Sequence, residues 1–160
     1  MTLPYQKATS GERALGEIQK ILRGFGCNKF GSMSDDSAGE IFVQFEYHGR
    51  PVSVRASIKG YAQAWLKENP VTIHQTDINA GRAAGKKAAH ERKAMDIASV
   101  AVYSILRDWI KGQITAIETG ILSFEGAFLG QLLLPSGKTV LDHIEQQKLL
   151  PAPAQGGGNG

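Results

Sequence analysis

Residues 86–128 read KKAAHERKAMDIASVAVYSILRDWIKGQITAIETGILSFEGAF, a run that begins basic, ends apolar and sets the architecture around it. Ala94, Ala98, Ala101, Val102, Ile105, Trp109 and Ile110 recur at spacings of three and four, which places them on one stripe of a helix. Glu91, Lys93, Asp96, Arg107, Asp108 and Lys111 fall largely outside that stripe. Neither Pro nor Gly interrupts Lys86 to Lys111, and Gly112 is the first interior glycine. So long a span predicts a break near Gly112 or Gly120, with Ser123 capping a further short helix that carries Phe124, Phe128 and Leu129. At the entrance, Arg82, Lys86, Lys87, Arg92 and Lys93 set five cations against Glu91. Positive charge at a helix N-terminus opposes the macrodipole, so this end is expected to meet an anion or to fray.

Upstream, Thr9-Ser10-Gly11-Glu12 has the spacing of a capping box in which Glu12 reaches back to the Thr9 amide. The helix that follows carries Leu15, Ile18, Leu22 and Phe25 on one stripe, and Gly24 with Gly26 offers a left-handed exit. From Cys27 the period changes to two. Cys27 to Met33 reads as a first strand, Ser34 to Gly39 as a polar turn, and Ile41, Val43, Phe45 and Tyr47 as the inward positions of a second strand. His48-Gly49 makes a tight turn into a third strand with Val52, Val54, Ala56 and Ile58 facing one way and Ser53, Arg55 and Ser57 the other. Pro51 lacks a ladder donor and puts the start of that strand at an edge. Glu46 or Gln44 is expected across from Arg55, Ser53 and Ser57, with a cross-strand Glu–Arg pair weighed against Arg50, Arg55 and Lys59 forming a phosphate-contacting surface. A short helix from Tyr61 to Glu68 places Trp65 in the core and stops at Asn69-Pro70, and Val71 to Gly85 reads as a mobile connector.

Downstream, Pro135-Ser136-Gly137 turns the chain and Thr139 with Asp142 caps a last helix carrying Val140, Leu141 and Ile144, ending near Leu150. The expected fold class is therefore α+β: an N-terminal helix, a small antiparallel sheet of about three strands, then a long C-terminal helix with one or two short helices. Residues 1–9 form an arm, residues 10–150 a single domain, and residues 151–160 a flexible tail rich in Pro and Gly.

Eighteen Lys and Arg against 15 Asp and Glu give a net charge of +3, which permits contact with phosphates without requiring it. The single Cys27 excludes an intramolecular disulfide and a multi-cysteine zinc site, and suits a reducing compartment. No apolar run approaches a membrane span and the N-terminus lacks the apolar core of a secretory signal, so a cytoplasmic protein with no membrane partner is expected. Pro135-Ser136-Gly137-Lys138-Thr139 imitates the end of a phosphate-binding loop, but Leu132 stands where the first glycine is needed. His90-Glu91 starts like a zinc-protease helix, but Ala94 occupies the second ligand position. Glu118 with Glu125, and Asp35 with Asp36, read as solvated or turn carboxylates. No catalytic residue, metal ligand or cofactor site emerges, and a non-enzymatic protein is expected.

Gly49 to Ser57 (GRPVSVRAS), Tyr61 to Pro70 (YAQAWLKENP), Ser104 to Gln113 (SILRDWIKGQ) and Ile121 to Glu125 (ILSFE) resemble a family of small, functionally uncharacterised phage and prophage proteins over Ser10 to about Leu150. That resemblance implies a phage or mobile-element origin and carries no active-site residues over. The order helix, three strands, long helix is also similar to the core of phage single-strand annealing proteins, which implies a basic groove between hairpin and helix and assembly into rings. The expected function is binding of nucleic acid, including single-stranded DNA, through sequence-independent phosphate contacts. Lys86, Lys87, Arg92 and Lys93 are the main cations, with Arg55, Arg50 and Lys59 beside them. The alternative is a protein-interaction module, an inhibitor of a host enzyme or a subunit of a homo-oligomer, anchored by Trp109 and Phe128.

Overall fold

The computed structural model describes residues 2–154 and shows an α+β fold in which one long helix runs between two shorter ones beneath a three-stranded antiparallel sheet. Helix α1 spans Gly11–Phe25. Its N-cap is Ser10, whose hydroxyl accepts the Arg13 amide at 3.1 Å. The expected box from Thr9 does not form, because with the cap one residue later Glu12 falls a position short of reaching back. The helix leaves through Gly26 at φ 113°, whose amide donates to the Leu22 and Arg23 carbonyls. Ala14, Ile18 and Leu22 are buried, with Leu15 and Phe25 packed at the margin.

Strands β1 (Lys29–Asp35), β2 (Glu40–Tyr47) and β3 (Arg50–Ser57) follow in the order β1-β2-β3. The first strand starts and ends two residues later than its sequence suggests. Asp35 closes the turn, accepting from the Ser37 amide and hydroxyl and the Ala38 amide. His48 and Gly49 both take positive φ, 49° and 74°, the geometry whose twist matches that of a tight hairpin. Ile41, Val43, Phe45, Val52 and Val54 form the buried face. The register sets Arg55 across from Phe42 and Glu46 across from Pro51, so the expected Glu–Arg pair between β2 and β3 is absent from this hairpin. Glu46 instead meets Lys29 of β1 at 3.1 Å.

Helix α2 (Ile58–Glu68) is capped by Ser57 and buries Trp65. The presumed connector contains a five-residue helix, α3 (Gln75–Asn79), tied down by buried Asp77. Helix α4 then runs unbroken from Ala83 to Glu118, 36 residues or about 54 Å at 1.5 Å per residue. It passes straight through Gly112, whose missing side chain faces open space, and ends where Gly120 adopts φ 77°. Ala94, Ala98, Ala101, Val102, Leu106, Ile110 and Ile114 are buried against α1, α2 and the sheet, while Ile105 and Trp109 are half-buried.

Ser123 caps α5 (Phe124–Phe128), and a 3₁₀ turn at Leu129–Gln131 leads to α6 (Val140–Gln146), whose capping box joins Thr139 and Asp142. The aromatic centre of the core is Phe128, fully buried, with its ring edge-on to Phe45 at 5.4 Å and Trp109 at 5.8 Å. Residues 151–154 are exposed and outside any element, and residues 155–160 of the expected tail lie outside the described residues. The arm before α1 is docked: Leu3 packs on the core, Tyr61 donates to the Pro4 carbonyl, and Tyr5 donates to Asp108.

Candidate nucleic-acid interface

The first three turns of α4 expose Arg82, at its N-cap, and Lys86, Lys87, Arg92 and Lys93. At 100° per residue, Arg82, Lys86 and Lys93 fall within about 40° of one another, with Lys87 and Arg92 roughly 100° or more to either side. No acidic residue and no side-chain cap occupy the first turn of α4 itself. The compensating charge comes from α3. Asp77, only 5% exposed, accepts from Lys86 Nζ at 2.9 Å and from Arg82 Nε at 3.4 Å. Its Oδ2 also accepts the His74 amide at 3.0 Å, and its carbonyl accepts the Arg82 amide at 2.8 Å. The hydrogen bond from Lys86, then that from His74, hold the Asp77 carboxyl below its ordinary range despite burial. The helix therefore begins in an ordered turn rather than a frayed one, and it begins three residues ahead of Lys86.

A second fixing point lies one turn on. Lys93 Nζ sits 6.0 Å from the centre of the Trp65 ring, at the outer limit of a cation–π contact. His90 packs against the same ring at 5.0 Å, and its Nε2 lies 2.5 Å from the Asn69 carbonyl. A carbonyl only accepts, so Nε2 carries the proton of that bond. Trp65 is buried against α4, as its helical spacing predicts, and offers no open face for stacking a base.

The remaining sequence candidates sit on other elements. Arg50 meets Glu125 of α5 at 2.6 Å, and Arg55 meets Asp142 of α6 at 3.1 Å. Both thus brace the sheet against the C-terminal segment rather than joining the cations of α4. Lys59 is exposed on the first turn of α2, where its amide donates to the Gly39 carbonyl. Of the two proposed interaction anchors, Phe128 is a correction: it is fully buried in the core and presents nothing to a partner. Trp109 is half-buried and packed edge-on against it.

Sequence reasoning missed Asp77, because a five-residue helix shows no period, and it missed a cavity of about 680 Å³ between the N-terminal arm and α1 and α4. Four charged side chains in and beside it pair with one another. Glu17 meets Arg13 at 3.3 Å and Arg107 at 3.1 Å, and Asp108 meets Arg107 at 2.9 Å and the Tyr5 hydroxyl at 2.6 Å. Those bonds, Arg107 first, hold the Asp108 carboxyl below its usual range. Cys27 is buried, and burial alone pushes its thiol up to about 11, which makes it a poor nucleophile. Among the described residues, no three of His, Cys, Asp and Glu gather closely enough to hold a metal ion, and no helix is long and apolar enough to cross a membrane. Compared with family models, curated proteins and solved structures, the chain gives no match.

Proposed function

We propose that this is a non-enzymatic, phage-derived accessory protein that binds nucleic acid through sequence-independent phosphate contacts made by the first three turns of α4. One observation carries the proposal: Arg82, Lys86, Lys87, Arg92 and Lys93 are all exposed on one 36-residue helix, where five cations outnumber the nearby carboxylates Asp77, Glu91 and Asp96. Five ammonium and guanidinium groups on a common rod follow a phosphate backbone without reading its bases, since such contacts carry charge and not sequence. Asp77 keeps the rod ordered before the ligand arrives, and it leaves Lys86 and Arg82 partly exposed, at 45% and 61% of the side chain. Arg50 and Arg55 are secondary, because a phosphate must displace Glu125 or Asp142 to reach them.

The test is fluorescence anisotropy of labelled single- and double-stranded oligonucleotides at low salt. The Lys86→Ala/Lys87→Ala/Arg92→Ala/Lys93→Ala variant is expected to lose binding while keeping its circular dichroism spectrum. An Arg50→Ala/Arg55→Ala variant is expected to bind within a few-fold of the wild type. Normal binding by the quadruple variant contradicts the assignment.

A further inference from the structure

The two edges of the sheet are treated differently. Along β3, Leu132 bridges Val52 and the Leu133 amide donates to the Pro51 carbonyl, so the C-terminal segment covers that edge. Along β1, among the described residues, no strand or bridge pairs with the outer edge. β1 is also uncovered on both faces: Gly31, Ser32, Met33 and Ser34 are exposed, Met33 at 61%. A seven-residue strand with no proline and open backbone groups along its length is a template for another strand.

The sequence of β1, KFGSMSD, specifies which strand. Paired antiparallel with itself about Ser32, Lys29 falls opposite Asp35 of a second copy, twice. Phe30 then falls opposite Ser34 and Gly31 opposite Met33. On the face that carries Lys29, Gly31, Met33 and Asp35, opposite charges close both ends of the ladder, and cross-strand pairs of this kind are favourable. In the middle, Gly31 leaves bare backbone with open space above it, and the exposed Met33 thioether of the other copy fills that space. On the other face, Ser32 and Ser34 are exposed, so the helices stand back from the strand and leave room for a two-fold axis at Ser32.

We infer that two copies of this chain join β1 to β1 across a two-fold axis at Ser32, making one continuous six-stranded sheet. The interface is isologous, as a two-fold requires, and it removes the open edge of both chains at once. It uses no cation of α4 and stands or falls independently of nucleic-acid binding.

Light scattering on the purified full chain at about 100 µM is expected to give twice the 17.2 kDa chain mass. Register is read by cysteine pairing under oxidised glutathione, with buried Cys27 as an unreactive background. Ser32→Cys is expected to give a disulfide-linked dimer, because directly opposed residues on antiparallel strands lie about 4.5–5.5 Å apart, within disulfide reach. Ser34→Cys, equally exposed, is expected not to, since its two copies are four residues out of register and roughly 13 Å apart. Single-chain mass overturns the inference. So does a dimer in which Ser32→Cys fails to cross-link, or in which Ser34→Cys cross-links as well. Both substituted residues are exposed, and an unchanged melting temperature of the reduced variants confirms that they fold.

Discussion

Asp77 is the residue on which the basic end of α4 depends. It is a buried carboxylate facing Lys86 and Arg82, and its pKa is held down in the folded chain. A depressed folded-state pKa stabilises the fold at pH values above the ordinary Asp pKa of about 3.9, and that contribution disappears as the pH falls through the folded value. Asp77→Asn should therefore lower the melting temperature at pH 7, and the gap between variant and wild type should close as the pH falls below the depressed Asp77 pKa. Equal gaps above and below that pKa would show that the charge is irrelevant. The same substitution releases two cations from their internal partner, so oligonucleotide affinity should rise while stability falls. A purely structural defect would lower both. Phe128 is the opposite kind of residue, apolar and central, and truncating it leaves a hole among Phe45, Trp109 and Phe124. Phe128→Ala should cost about 3–5 kcal/mol in urea denaturation. A cost under about 1 kcal/mol would place Phe128 outside the core.

At the scale of elements, α4 shows what one glycine does in two settings. Gly112 lies inside the helix with open space around it, so Gly112→Ala should raise stability by about 0.5–1 kcal/mol through lost freedom of the unfolded chain. Gly120 ends the helix at φ 77°, a conformation an alanine resists, and Gly120→Ala should lower stability by about 1–2 kcal/mol. Thermal melts of the pair give opposite shifts, whereas two shifts of the same sign would contradict the placement of the helix end. The elements legible in the sequence are those fixed by local periodicity or a local stop. The stripe of α1 and its Gly26 exit, the alternation of β2 and β3 around His48-Gly49, the length of α4 and the Thr139 cap of α6 are of this kind. α3 is not, because five residues are shorter than two helical turns and Asp77 reveals its role only when Lys86 arrives nine residues later. The partner of Arg55 was equally hidden, since Asp142 lies 87 residues away and nothing on β3 points to it. The cation cluster itself was legible as composition, but not its division between α4 cations held partly by Asp77 and β3 arginines held by the C-terminal segment.

At the scale of the molecule, α4 spans the length of the fold and divides it by chemistry. Its C-terminal two-thirds is packed against α1, α2 and the sheet, and its N-terminal third carries exposed positive charge beside α3. The open edge of β1 belongs to a different element and a different kind of contact, so the proposed phosphate binding and the proposed self-association can be tested by separate mutations. The most direct test of the phosphate site is the salt dependence of oligonucleotide affinity for the wild-type chain. With four phosphates neutralised, log K falls against log salt with a slope of about −2.8 for single strands to −3.6 for duplex, so affinity should drop roughly 50- to 150-fold between 50 and 200 mM salt. A change of less than twofold over that range, or no binding at 50 mM, would contradict it.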